Sequence, residues 1–129
     1  MVCSRLQLVG YFGERVVQGN IRRGSTLVAK RDSDNEKDKN CIGIHLADSS
    51  RKLVAYVPAT IAKILSPMLD RGKATVEKVV TIGSVQARQI PVSMRMKVVG
   101  EDYAEMLHCR LEQTDRCKVT KSQLTVTQS

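Results

Sequence analysis

One stretch of the sequence concentrates side chains that could do chemistry, the acidic and amide residues between Arg31 and Ile42. Residues 31–40 include no apolar side chain, which predicts a surface loop. Asp and Asn side chains accept hydrogen bonds from backbone N–H groups a few residues further on. The sequence therefore predicts a loop that is stabilised by Asx turns and exposes several carboxylates to solvent.

The same loop has only part of a calcium-binding pattern. Carboxylates occur on every second residue from 32 to 38, which is a spacing that calcium loops use. The glycine and the terminal glutamate of an EF-hand are missing, and Lys37 and Lys39 would repel a cation. No calcium site is predicted.

Cysteines and histidines are the other candidate ligands or catalysts. They are Cys3, Cys41, Cys109, Cys117, His45 and His108. Structural zinc sites usually need tight ligand pairs such as C-x-x-C, and the sequence has no such pair. It also lacks G-x-S-x-G, H-E-x-x-H and glycine-rich phosphate motifs. We expect reduced thiols, no metal, no cofactor and no enzymatic activity.

Hydrophobic periodicity predicts the elements that position the loop. Strands are predicted at 5–9, 16–21, 26–30, 41–46, 53–57, 74–82 and 90–98. Gly10 and Gly13 are expected to break the first strand. After Pro58, an apolar stripe from Ile61 to Leu69 predicts a central helix that ends near Gly72.

A second, short helix is predicted over 101–111, because acidic residues occupy its first turn. About six strands with one central helix predict a mainly β (α+β) fold, a small closed or partly open barrel. The chain of 129 residues allows one domain, predicted over 1–112, with a polar tail over 113–129.

Composition limits the function classes. No apolar run approaches the roughly 20 residues of a membrane span, and the N-terminus has no secretory h-region. We expect an intracellular protein that makes no membrane contact. The initial Met and the polar end are compatible with a complete small protein.

The net charge of +8 comes from two parts of the chain. Residues 1–30 carry five basic and one acidic side chain, and residues 71–100 carry six basic and one acidic. If the fold brings these two blocks together, they form one basic face that can attract phosphates. The simpler alternative is a set of solvated strand faces that keep the protein in solution. The chain contains only one Phe, three Tyr and no Trp, so few rings are available for stacking on bases.

Two motifs together resemble the HIRAN domain. The loop has the order R-D-x-x-N-x-x-D-x-N-x-I, and Gly13-Glu14-Arg15-Val16-Val17-Gln18-Gly19 precedes it. The similarity continues through residues 53–58 and 90–92 and covers about residues 6–112.

The resemblance implies a modified OB-like β-barrel of the kind found in DNA translocases of fork repair, beside nuclease domains and as standalone proteins. The best-known members capture the 3′ end of single-stranded DNA, stack its bases on aromatic rings and bind the terminal hydroxyl through the loop aspartate. By position, Asp38 would accept a hydrogen bond from that hydroxyl. Asp34 and Asn35 would shape the loop, and Arg15 would lie near the DNA phosphates.

This chain departs from the family where the family has aromatic rings. Val16 and Val17 replace the tandem aromatics, Lys37 replaces the ring before the aspartate, and Arg88 replaces the ring before the later proline. Arg88 could stack through its guanidinium plane, and Lys37 could contact phosphate instead of a base.

Two functions follow as hypotheses. The first is a DNA-binding module for single-stranded DNA or 3′-hydroxyl ends, nuclear in a eukaryote, monomeric and active in repair. The second is a protein-interaction barrel that has lost end recognition, marked by an apolar patch at Val16 and Val17. Tyr11 and Tyr56 could replace the missing rings, although a core or rim position is the simpler expectation. The predicted DNA-binding residues are Arg15, Val16, Val17, Asp34, Asn35, Lys37, Asp38, Tyr56 and Arg88.

Overall fold

The computed structural model describes residues 2–13, 21–86, 88–114 and 117–122. Its elements are β1 (Val2–Tyr11), β2 (Thr26–Arg31), β3 (Ile42–Leu46), β4 (Leu53–Tyr56), α1 (Ala59–Asp70), β5 (Ala74–Thr81), β6 (Gln89–Val98), α2 (Glu101–Glu112) and β7 (Cys117–Ser122).

Six antiparallel strands close into a barrel in the order β1-β4-β3-β2-β5-β6. One edge of β1 pairs along its whole length with β6. The other edge is shared, because β7 pairs with residues 3–8 and β4 closes the ring where Tyr11 meets Tyr56. The predicted mainly β barrel with a central helix and a C-terminal helix is confirmed.

Alternation decides which side chains fill the barrel. The inward residues of β6 are Ile90, Val92, Met94, Met96 and Val98, and all of them are fully buried. On β1 the even-numbered residues point inward and the odd-numbered ones outward. The sequence pattern predicted the face of β6 correctly because strict alternation over nine residues has no helical reading.

The first strand extends further than predicted. Gly10 and Tyr11 remain in β1, although two nearby glycines suggested a break. At Gly10 the strand packs closely against its neighbours, since a Cβ atom there would lie 2.9 Å from Cδ1 of Ile44 and 3.1 Å from Cβ of Ala55. This glycine therefore permits close packing and does not end the strand.

Both helices pack onto the barrel, and α1 does so through the predicted apolar stripe. In α1, Ile61, Leu65 and Met68 are buried, and the helix continues past Pro67 to Asp70. Gly72 follows with a positive φ of 71°, which suits a helix C-terminus. In α2 the buried residues are Ala104, Leu107 and Leu111.

Two other parts of the sequence prediction have different outcomes. Within the predicted polar tail, residues 117–122 form β7 against β1, because a long first strand leaves a free edge that an extended, β-branched segment can pair with. The predicted strand over 16–21 falls outside the described residues except for Ile21, which is buried but lies in no strand. No helix in the described ranges is long and apolar enough to cross a membrane.

Candidate nucleic-acid interface

A groove of about 670 Å³ lies where β1 and β4 close the barrel. Three segments line it: the end of β1 with the two residues after it, the connecting loop (residues 32–41), and the end of β4 with the first turn of α1. The lining residues are Tyr11, Phe12, Gly13, Asn35, Lys37, Asp38, Cys41, Tyr56, Val57, Pro58, Ala59 and Thr60.

Aromatic rings form one side of the groove. Tyr11 and Tyr56 are direct partners across the β1–β4 closure. The rings of Phe12 and Tyr56 lie 6.3 Å apart between centroids with planes tilted by 37°, a favourable aromatic geometry. All three residues are half-buried, and they are three of the four aromatic residues in the chain. The rare rings are therefore concentrated where a base could stack.

The expected Asx turns shape the connecting loop. Oδ1 of Asn35 accepts hydrogen bonds from the backbone N–H groups of Lys37 at 2.9 Å and Asp38 at 3.0 Å. Its amide nitrogen donates to Asp32 at 3.4 Å. One amide side chain thus fixes the turn that presents Lys37 and Asp38 to the groove.

Asp38 caps the second turn of the loop. Its Oδ1 accepts from the N–H of Asn40 at 2.9 Å, and its carbonyl oxygen accepts from the N–H of Cys41 at 3.1 Å. Within the described residues no hydrogen bond reaches its Oδ2. The carboxylate is held by one oxygen and keeps the acceptor capacity of the other.

Two side chains fasten the base of the loop to the barrel and to α1. Arg31 donates to the carbonyl of Cys41 at 2.8 Å and makes a bidentate pair with Asp70, with both N···O distances 2.9 Å. This pair lowers the pKa of Asp70 and raises that of Arg31. The buried Ser66 hydroxyl donates to the carbonyl of Asn40 at 2.5 Å. The loop is therefore preorganised at its C-terminal end.

Burial and nearby carboxylates disfavour negative charge at the groove floor. Burial raises the pKa of the Cys41 thiol, and Asp32 and Asp38 raise it further. The pKa of Tyr56 is also raised, first by burial and then by Cys41 and Asp32. Both groups stay neutral at ordinary pH, so Cys41 and Tyr56 offer an uncharged surface in the same groove as the Asp38 carboxylate.

The N-terminus of α1 and Lys37 add electropositive groups to the groove. The N–H groups of Ile61 and Ala62 donate to the carbonyl of Pro58, which leaves those of Ala59 and Thr60 without an intrahelical acceptor. The N-terminus of α1 thus brings donors and the positive end of its dipole to the groove. The exposed Lys37 adds a full charge at the rim.

The structure brings together four of the predicted site residues: Asn35, Lys37, Asp38 and Tyr56 all line the groove. Asp34 is exposed and does not line it.

Arg88 is exposed and does not line the groove, and its carbonyl oxygen accepts a hydrogen bond from the N–H of Phe12 at 3.0 Å. Arg15, Val16 and Val17 lie outside the described residues.

Sequence reasoning missed Phe12 and the start of α1, and treated Tyr11 only as an alternative. The available signal was the Tyr11-Phe12 pair itself, since adjacent aromatic residues before Gly13 are conspicuous in a chain with four aromatics. Among the described residues no group of three His, Cys, Asp or Glu side chains is placed to hold a metal ion.

Sequence comparison with known proteins identifies one domain family. The sequence model of the HIRAN domain matches residues 4–101. A curated relative, the Fanconi-associated nuclease 1 homolog of Oryza sativa subsp. japonica, is 27% identical over 93 residues, which are 68% of this chain and 10% of that protein. The chain therefore spans about a tenth of that relative's length.

Solved structures show the same fold. The crystal structure of the HIRAN domain of human HLTF has a TM-score of 0.64 and 22% identity, and covers 85% of this chain and 91% of that domain. The NMR structure of the HLTF HIRAN domain in its DNA-bound conformation has a TM-score of 0.64 and 20% identity, with coverages of 88% and 89%.

Proposed function

We propose that this chain, which belongs to the HIRAN domain family, is a DNA-binding module whose groove holds the 3′ end of a DNA single strand. The match over residues 4–101 confirms the resemblance inferred from the loop motif. The observation that carries the proposal is the convergence of three aromatic rings and Asp38 on one groove. The DNA-bound conformation of a HIRAN domain in a structural relative supports nucleic acid as the ligand class.

Stacking supplies the sequence-independent part of the binding. Each base that stacks on an aromatic side chain contributes roughly 1–3 kcal/mol. Tyr11, Phe12 and Tyr56 provide rings at the groove even though the family's tandem aromatics are Val16 and Val17 here. The three rings favour DNA over the protein-interaction alternative, which was motivated by the shortage of aromatic residues.

End recognition assigns separate roles to Asp38 and to the electropositive groups of the groove. Oδ2 of Asp38 accepts a hydrogen bond from the terminal 3′-hydroxyl. The same carboxylate, together with that of Asp32, repels a phosphate at that position. The preceding phosphate then contacts Lys37 and the N-terminus of α1.

The module itself carries out no chemical step in this proposal. Its relative in rice is a nuclease of which this chain matches a small part. A domain that holds DNA ends fits a nuclear role in repair, where it would position a strand for a catalytic partner.

Binding of matched oligonucleotides that end in a 3′-hydroxyl or a 3′-phosphate tests the proposal. The wild-type chain should prefer the hydroxyl end about tenfold or more, since a hydrogen bond to a charged group contributes about 1.5–3 kcal/mol. Asp38→Asn retains the Oδ1 cap for Asn40 but replaces Oδ2 with an amide, so the preference should fall close to one. Fluorescence anisotropy measures both.

Asp34→Asn is the matched control, because it removes the same charge from the same loop at an exposed position outside the groove. This variant should keep the wild-type preference. Equal binding of both ends by the wild-type chain would contradict end recognition.

A further inference from the structure

A row of cations crosses the outer wall of the barrel, away from the groove. In the strand register Arg95 of β6 stands opposite Arg5 of β1 on one side and opposite Lys78 of β5 on the other. Lys97 is the next outward residue of β6. We name these four residues, Arg5, Lys78, Arg95 and Lys97, the cationic stripe. It is the place where the two basic blocks of the sequence meet.

The cationic stripe is open to solvent. The Arg95 side chain is 54% exposed and the Lys97 side chain 45%. Among the described residues the carboxylate that pairs with the stripe is Glu77, which lies 3.1 Å from Lys97 and 3.8 Å from Arg95. Helix α2 does not cover this face, since His108 bonds to the inward-facing Ser4 at 2.9 Å.

Folding alone gives no reason for this arrangement. Like charges directly opposite each other on neighbouring strands destabilise a sheet. Neighbouring strands lie about 4.8 Å apart, so Lys78, Arg95 and Arg5 form a line of three cations about 10 Å long. One carboxylate leaves this line with an excess of positive charge, which a polyanion can neutralise.

The cationic stripe and the groove share one face of β1. Arg5 and Tyr11 are both odd-numbered residues of the strand, so their side chains point outward on the same side. Six residues at about 3.3 Å each separate them by about 20 Å. That distance equals about six steps of a B-form strand at about 3.4 Å per step.

We propose that the cationic stripe binds the phosphodiester backbone of the nucleic acid whose end lies in the groove, about six nucleotides from that end. This inference rests on the proposed function, because the groove supplies the other anchor. The backbone at the stripe can belong to a continuing single strand or to a duplex, and these share the same phosphate chemistry.

Oligonucleotide length and a charge-removing double variant test the inference. A trinucleotide reaches only the groove, whereas a dodecanucleotide reaches both surfaces, either as a single strand or with a duplex beyond a 3′ overhang. Arg5→Gln with Arg95→Gln should weaken dodecanucleotide binding by about 10- to 30-fold at about 100 mM salt and leave trinucleotide binding unchanged. The slope of log K against log salt concentration should become shallower by about 1.4 if the stripe contacts a single strand, or by about 1.8 if it contacts a duplex. The size of this change therefore identifies which form the stripe binds.

Lys52→Gln with Arg110→Gln is the matched control, because both are exposed cations that lie outside the stripe and the groove. It should lower dodecanucleotide affinity much less than the stripe variant. Equal weakening by both double variants, or no dependence on length in the wild-type chain, would overturn the inference while trinucleotide binding still supports the groove. A failure of the trinucleotide to bind, with stripe-dependent binding of the dodecanucleotide, would overturn the proposed function and support the stripe as a nucleic-acid contact.

Discussion

Asp38 uses its two carboxylate oxygens for different purposes. Oδ1 caps the N–H of Asn40 and so maintains the loop, while Oδ2 remains available to a ligand. A change to alanine would remove both functions together, so a loss of binding could reflect a disordered loop. The asparagine variant separates the two functions, because an amide oxygen keeps the cap.

Tyr56 is the ring whose loss should most reduce DNA binding, because it pairs with Tyr11 and packs against Phe12. Tyr56→Leu keeps most of the apolar volume but removes the stacking surface. We expect the affinity for a short single strand to fall about 5- to 150-fold, which corresponds to roughly 1–3 kcal/mol for one stacked base. Isothermal titration calorimetry measures the change.

Tyr103→Leu is the control for this substitution, since Tyr103 is exposed on α2, under the ammonium group of Lys73, and does not line the groove. Its affinity should match that of the wild-type chain. Equal losses in the two variants would show that stacking at Tyr56 does not contribute.

The elements that sequence patterns predicted well are those with a long, unambiguous period. The alternation in β6 and the helical stripe of α1 specify their buried faces locally. The patterns failed where long-range packing decides. Glycine usually interrupts a strand, but Gly10 lies inside β1. Ile44 and Ala55 occupy the space that a side chain at this position would need.

Gly10→Ala should therefore destabilise the barrel at the β1–β4 closure. Its Cβ would lie 2.9 Å from Cδ1 of Ile44, and overpacking of this kind costs about 1–3 kcal/mol. The midpoint of thermal unfolding should fall by several degrees. Gly13→Ala is the control, because among the described residues no atom outside its chain neighbours would lie within 4 Å of a Cβ at Gly13. If both variants unfold at the wild-type temperature, the close packing at Gly10 is not a constraint.

At the scale of the whole molecule, the groove depends on contacts that no local pattern encodes. It exists because Tyr11 and Tyr56, 45 positions apart in the sequence, become partners when the barrel closes. The loop motif predicted three of the residues that line it, Asn35, Lys37 and Asp38, since a turn is built from neighbours in sequence. The rings could not be placed without the closure, and the convergence of the basic blocks depended on the β1–β6 register.

Amide chemical-shift mapping with a trinucleotide that ends in a 3′-hydroxyl is the direct test of where the DNA end binds. We expect the largest shift changes at the groove, in residues 12–13, 35–41 and 56–60, and no change in α2 or in the turn at 47–52. Saturable binding that shifts α2 or that turn, with the groove residues unaffected, would contradict this expectation.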